Sequence, residues 1–202
     1  MKKVWSLTVV AAAWGAFALG GEIVKLKVTD VAGVERVAEP VTSGVPFPEG
    51  SVKDVAKLAI TGPGGKAIPA VFTASALWPK DKSVRWALLD MQVSVPANGS
   101  AELAVVAGAP AAPAAKLSVD DAADLITVNT GTLKFSVRKK GFRLFESAWL
   151  DESGKGKFDD AHKLLAEPAD GLAMTVKGQR YTSAGDTAST VTVEEKNPMR
   201  VA

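Results

Sequence analysis

The longest regular pattern in the chain lies at residues 83–95, where apolar residues recur at every second position. A period of two is typical of a β-strand with one face in a core and differs from the 3.6-residue period of a helix. Val84, Trp86 and Leu88 share one parity, whereas the apolar residues after Leu88 take the other parity. Because such a slip would turn apolar side chains away from the core, we predict a β-bulge near Leu88. The same parity predicts that Trp86 is buried beside Val84 and Leu88.

Shorter stretches with the same period lie on both sides of this run. Apolar residues also alternate with polar ones at residues 22–29, before this run, and at residues 126–137, after it. Residues 58–60 and 68–72 flank a Gly-rich segment at residues 62–66, the arrangement typical of a β-hairpin. We therefore predict an all-β chain.

A segment of small residues divides these patterns into two groups. Residues 108–116 (GAPAAPAAK) offer no large side chain for a core and suit a semi-rigid linker. We predict a small β-barrel domain at residues 21–107, an Ala/Pro linker at residues 108–116 and a second β module at residues 117–202.

The N-terminus has the features of an export signal. Lys2 and Lys3 precede an uncharged run, residues 4–20, that is rich in Ala, Val and Trp. A membrane-spanning helix needs roughly 20 strongly apolar residues, and Ser, Thr and Gly dilute this run. We predict that residues 1–20 are a signal peptide cleaved after Ala18 or Gly20, which leaves the mature protein periplasmic or secreted and not bound to the membrane.

Composition excludes several classes of partner and site. The sequence has no cysteine, which excludes a lipid anchor on Cys, disulfides, a thiol nucleophile and thiolate zinc sites. It has 24 basic and 22 acidic residues, and loss of Lys2 and Lys3 makes these counts equal. A balanced charge is unfavourable for binding nucleic acid or anionic lipid, so we expect neither partner.

No catalytic, cofactor or metal site is predicted from the residues. His162 is the only histidine and lies in a polar segment, so we interpret it as a surface residue. Asp151 and Ser153 match the first and third positions of a calcium loop, but Lys155 occupies the fifth position and His162 the twelfth. We interpret this segment as a solvated loop.

One aromatic residue is a candidate ligand contact. A flat aromatic face suits the apolar face of a pyranose ring. Trp78 lies beside Pro79, where a loop begins, so we predict that part of its ring is exposed and name it as the candidate carbohydrate contact.

Two motifs carry a family resemblance. Residues 39–51 (EPVTSGVPFPEGS), together with residues 77–86 (LWPKDKSVRW), resemble the N-terminal domain of the exo-rhamnogalacturonan lyase and YetA-like proteins. The resemblance continues at residues 126–135 and 194–200. It implies a RIFT barrel at residues 21–107 and the start of a central β-sandwich, here truncated, at residues 117–202. Lys82 stands where the family usually has Gly, at a position where φ is expected to be positive.

The resemblance also implies a function for the parent protein. In that family a helical toroid domain carries out β-elimination on pectic polysaccharide, and the sequence ends at Ala202 within an alternating pattern. We therefore expect a non-catalytic front part of a longer exported lyase, which packs against a missing C-terminal domain. The alternative is an exported carbohydrate-binding or adhesion protein made only of β modules.

Overall fold

The structure, a computed structural model, describes residues 6–10 by their backbone and residues 21–113, 117–168 and 170–202 in full. It divides into two compact units, Met1–Ala114 and Ala115–Ala202. Most of the predicted signal peptide lies outside the described residues, as do the last three residues of the predicted linker. No helix in the described ranges is long and apolar enough to cross a membrane.

The described residues of the first unit form eight strands and two short 3-10 turns, and the first strand lies within the predicted signal peptide. The strands are β1 (Ser6–Val10), β2 (Glu22–Thr29), β3 (Arg36–Pro46), β4 (Leu58–Thr61), β5 (Ala67–Ile68), β6 (Ala70–Leu77), β7 (Val84–Val95) and β8 (Ser100–Ala107). The 3-10 turns are Val55–Lys57 and Pro63–Gly65. β4 and β5 pair antiparallel, with Ile60 opposite Ile68, so the predicted hairpin is confirmed.

The strands of this unit form two sheets around one core. One sheet has the order β1-β2-β8-β4-β5 and the other the order β3-β7-β6, and neither closes on itself. Alternate side chains of both sheets meet in a shared apolar cluster, because each strand presents every second residue to the same side. The largest fully buried members are Leu26, Val28, Val45, Ile60, Val84, Leu89, Met91, Val95 and Val105.

The register of β6 with β7 corrects the prediction for Trp86. β7 has one extra residue, Arg85, between Val84 and Trp86, while β6 has an extra residue between Ala74 and Ala76. The bulge therefore lies before Trp86 and not near Leu88. After the extra residue the odd positions from Ala87 onward point to the core, and Trp86 is turned outward with 44% of its surface exposed. The prediction that Trp86 is a core residue is wrong.

The second unit contains a four-stranded sheet and a separate two-stranded ribbon. The sheet strands are β9 (Ser118–Asp121), β10 (Leu125–Asn129), β11 (Leu133–Arg138) and β12 (Ser147–Leu150), in the order β12-β11-β10-β9. The ribbon pairs β13 (Ala173–Val176) with β14 (Gln179–Thr182), and 3-10 turns occur at Asp160–His162 and Ser183–Gly185. Both units consist of strands and short turns, so the all-β fold class is confirmed.

Candidate functional site

The turn between β6 and β7 is closed by side-chain and backbone hydrogen bonds. The Ser83 N–H and hydroxyl both donate to Asp81 Oδ1, at 3.0 and 2.7 Å, and the Gly50 N–H donates to Ser83 Oγ at 2.9 Å. Lys82 N donates to the Trp78 carbonyl, and Trp78 N donates to the Ser83 carbonyl. The Ser83 hydroxyl lowers the pKa of Asp81. The turn is therefore held in one conformation with an ionised aspartate at its centre.

Lys82 adopts the backbone conformation expected for a glycine. Its φ is 59°, in the left-handed region that costs an L-residue with a Cβ roughly 1 to 2 kcal/mol. The expectation of a positive φ at this position is confirmed. The hydrogen bonds of Asp81 and Ser83 hold Lys82 in this conformation despite the cost.

Trp78 is anchored at the end of the same turn. Its Nε1–H donates to the Phe47 carbonyl at 3.0 Å, and the guanidinium carbon of Arg85 lies 5.1 Å from the ring centroid. The side chain is half-buried. Its polar atom and part of its ring surface are thus engaged within the protein, and the prediction that Trp78 contacts carbohydrate stays a prediction.

Trp86 presents more free ring surface than Trp78. One side of its ring lies against Gly44 on β3, so closely that a Cβ at position 44 would be 2.5 Å from Trp86 Nε1. Pro46 and Ala76 are its partners in the register of the two neighbouring strands. Trp86 therefore packs on the sheet at Gly44 while 44% of its residue surface remains exposed.

Arg85 contacts the ring of Trp78 and precedes Trp86 in the chain. As the extra residue of the bulge it is exposed like Trp86, so two consecutive side chains reach solvent. Its carbonyl accepts a hydrogen bond from Phe47 N at 3.0 Å, which fixes the backbone at this point. Within the described ranges no carboxylate pairs with its guanidinium, whose contact is the Trp78 ring. We call Gly44, Trp78, Arg85 and Trp86 the bulge surface.

This surface lies within the segment that matches a known domain family. Residues 24–106 match the family model described as the PcRGLX-like N-terminal RIFT barrel domain. This match supports a RIFT-type barrel fold for residues 24–106. The match extends from β2 to β8, which supports the RIFT barrel named from the sequence motifs. No curated protein matches the chain.

Beyond the RIFT barrel domain, the loop after β12 is organised by a buried aspartate. Asp151 is 1% exposed and accepts hydrogen bonds from Ser153 N and Oγ and from the backbone N–H groups of Gly156 and Lys157. These donors, with the Ser153 hydroxyl first, lower the pKa of Asp151. Both carboxylate oxygens are thus occupied by N–H and O–H groups of the loop. This arrangement supports a structural role for Asp151.

His162 forms a local pair in the second unit. Its Nδ1 lies 2.5 Å from Asp159 Oδ1, and this contact lowers the pKa of Asp159. Both residues belong to the Asp160–His162 turn or cap it. Among the residues that the structure describes, no group of three or more His, Asp or Glu side chains could hold a metal ion.

The sequence patterns did not predict the roles of Gly44 and Arg85. Gly44 belongs to a Pro/Gly-rich motif whose cross-strand neighbour cannot be read from one strand alone. The change of parity within β7 could have indicated Arg85, because the alternation of inward and outward side chains is interrupted at a bulged residue.

Proposed function

We propose that this chain is the non-catalytic N-terminal region of an exported polysaccharide lyase-like protein that acts on pectic polysaccharide, rhamnogalacturonan, by β-elimination. The observation that carries the proposal is the match of residues 24–106 to the PcRGLX-like N-terminal RIFT barrel domain. In this proposal the signal peptide at residues 1–20 directs export to the periplasm or medium, and a helical domain outside this chain carries out the chemistry.

Four aspartates with a lowered pKa are poorly suited to act as the base of a lyase. β-Elimination needs a base that removes the proton α to the uronate carboxylate, and such a base works best with a pKa near the working pH. Hydrogen bonds instead lower the pKa of the buried or turn-forming aspartates Asp30, Asp81, Asp151 and Asp186. A carboxylate stabilised in this way is a weaker base than an ordinary aspartate.

An exposed apolar ribbon supports packing against another domain. On the β13–β14 ribbon Met174 lies opposite Tyr181, and Leu172 and Val176 share the parity of Met174. These four side chains are between 46% and 72% exposed. Because contiguous exposed apolar residues usually mark an interface, we propose that this ribbon packs against the C-terminal domain of the parent protein.

Comparison of the chain with the longer polypeptide of the same reading frame tests the proposal. Each protein is mixed with rhamnogalacturonan, and the ultraviolet absorbance of the unsaturated uronate product is followed. We expect product from the longer polypeptide and none from the chain. Product from the chain itself would contradict its non-catalytic role. A reading frame that encodes only further β modules, with polysaccharide binding and no product, would favour the alternative of a carbohydrate-binding or adhesion protein.

A further inference from the structure

We propose that Arg85 and Trp86 form a binding site for an acidic sugar residue, in which Trp86 stacks on the pyranose ring and Arg85 pairs with the uronate carboxylate. The site adds a ligand contact to the proposed function. It rests on that function for the source of the ligand, which is a uronate-containing polysaccharide. It assigns the ligand contact to the bulge and gives Trp78 a supporting role.

The ring of Trp86 packs against the β3 backbone. Gly44 has no Cβ, so the indole lies directly on the β3 backbone, and a side chain at position 44 would displace it. The sheet therefore supports the ring at Gly44, and 44% of the residue surface of Trp86 remains exposed. An indole held in this way meets the C–H face of a sugar with little further loss of side-chain freedom, which lowers the entropic cost of stacking.

Arg85 carries an exposed positive charge. Its partner is the π-system of Trp78, which attracts the guanidinium without neutralising its charge. A guanidinium has N–H donors arranged to bind a carboxylate through two hydrogen bonds. An exposed arginine positioned by a neutral partner is thus prepared to bind an anion.

The pair formed by Arg85 and Trp86 lies beside a charged turn. The turn beside it contains two exposed lysines, Lys80 and Lys82, against one aspartate, Asp81. On the outward face of β7 the acidic residue is Asp90, which accepts a hydrogen bond from the Thr42 hydroxyl and is buried. The turn itself therefore has one more basic than acidic side chain, which favours an acidic ligand over a neutral one.

The bulge in β7 brings the side chains of Arg85 and Trp86 to the same face of the sheet. A regular strand would place residues 85 and 86 on opposite faces of the sheet. The extra residue in β7 removes this alternation, and the hydrogen bond from Phe47 N to the Arg85 carbonyl holds the bulge through backbone atoms alone. Substitution of either side chain leaves these backbone contacts intact, so the variants are expected to fold.

Isothermal titration of the purified chain tests the site, with oligogalacturonate as the acidic probe and a neutral galacto-oligosaccharide of the same length. We expect at least a 10-fold preference for the acidic probe, as charge-assisted hydrogen bonds contribute roughly that factor. Arg85→Ala is expected to abolish the preference, and Arg85→Lys to retain part of it. Trp86→Ala should weaken binding of both probes about 3- to 10-fold, the range of aromatic stacking contributions. Lys66→Ala, which removes an exposed cation from the β4–β5 turn, is the matched control and should bind like the unmodified chain.

Fluorescence quenching gives a second test of the site and uses a variant that keeps both Arg85 and Trp86. Acidic sugar should protect tryptophan fluorescence of the unmodified chain from quenching by acrylamide, and Gly44→Ala should reduce this protection because its Cβ displaces the Trp86 ring. Acidic binding that survives both Arg85→Ala and Trp86→Ala would overturn the site, while the lyase proposal would still be decided by product formation. Absence of binding to either probe would overturn the site in the same way. Self-association of the chain that is lost in Trp86→Ala, without sugar binding, would make the surface a protein interface and also overturn it.

Discussion

Different kinds of interaction stabilise the two units of the chain, each considered by itself. In the RIFT barrel unit, residues from both sheets fill a shared apolar core. In the described part of the second unit, the buried apolar side chains are Ile126, Val128 and Ala148. The loops there are held by polar side chains: Asp186 accepts from two backbone N–H groups, as does Asn197. Stability should therefore depend on apolar packing in the first unit and on hydrogen bonds to ionised or polar side chains in the second.

The largest expected effect is a truncation in the core of the barrel. Leu89 is fully buried between the two sheets, so Leu89→Ala should reduce the free energy of unfolding of this unit by about 3 kcal/mol. Leu77→Ala, at a half-exposed position of the neighbouring strand, is the control and should cost less than about 1 kcal/mol. Urea denaturation measures both variants. Equal losses would contradict the difference in burial between Leu89 and Leu77.

The two tryptophans provide the next largest difference. Trp78→Ala removes a half-buried ring and the hydrogen bond to the Phe47 carbonyl, and we expect a cost of about 2 kcal/mol. Trp86→Ala removes an exposed ring from the sheet surface and should cost about 1 kcal/mol or less. The same urea denaturation ranks them. A loss for Trp86→Ala as large as that for Leu89→Ala would show that Trp86 belongs to the core.

Acidification should destabilise the second unit at a higher pH than the first unit. The folded pKa of Asp151 is lowered, so its contribution to stability is present above its unfolded pKa, about 4, and is lost as the pH falls through the folded value. Asp30 in the barrel, which accepts hydrogen bonds from the N–H groups of Val34 and Asn98, has the same direction of shift. Because the barrel also has its apolar core, we expect the second unit to lose protection first when the pH is lowered.

Hydrogen exchange measured peptide by peptide between pH 6 and pH 3 tests this order. Asp151→Asn should be less stable than the unmodified chain at pH 6 and should show a smaller further loss on acidification. Asp30→Asn is the matched variant in the barrel and should leave the exchange of the second unit unchanged. Faster loss of protection in the barrel would contradict the contrast between the units.

Features that depend on local sequence were predictable, whereas features that depend on register were not. The all-β class and the β4–β5 hairpin follow from residue periodicity and turn residues, and the positive φ of Lys82 followed from the resemblance. The outward position of Trp86 depends on which residue of β7 is unpaired against β6, and the pairing partners lie on another strand. The contact of Arg85 with Trp78 depends on the same bulge. The exposure of Trp86 and the contact of Arg85 therefore could not be predicted without knowing the pairing of β7 with its neighbouring strands.

The smallest predicted effect concerns the turn that supports the bulge surface. Lys82→Gly relieves the left-handed strain at φ 59° but adds backbone freedom to the unfolded chain, so a net stabilisation of about 0.5 kcal/mol is expected. Lys82→Ala is the control, because it removes the same charge and keeps the Cβ, and it should give no gain. Thermal melts of the two variants at equal pH and salt measure the difference. If Lys82→Ala stabilises the barrel as much as Lys82→Gly does, the gain arises from loss of the lysine charge, and the backbone strain at this turn has no measurable cost.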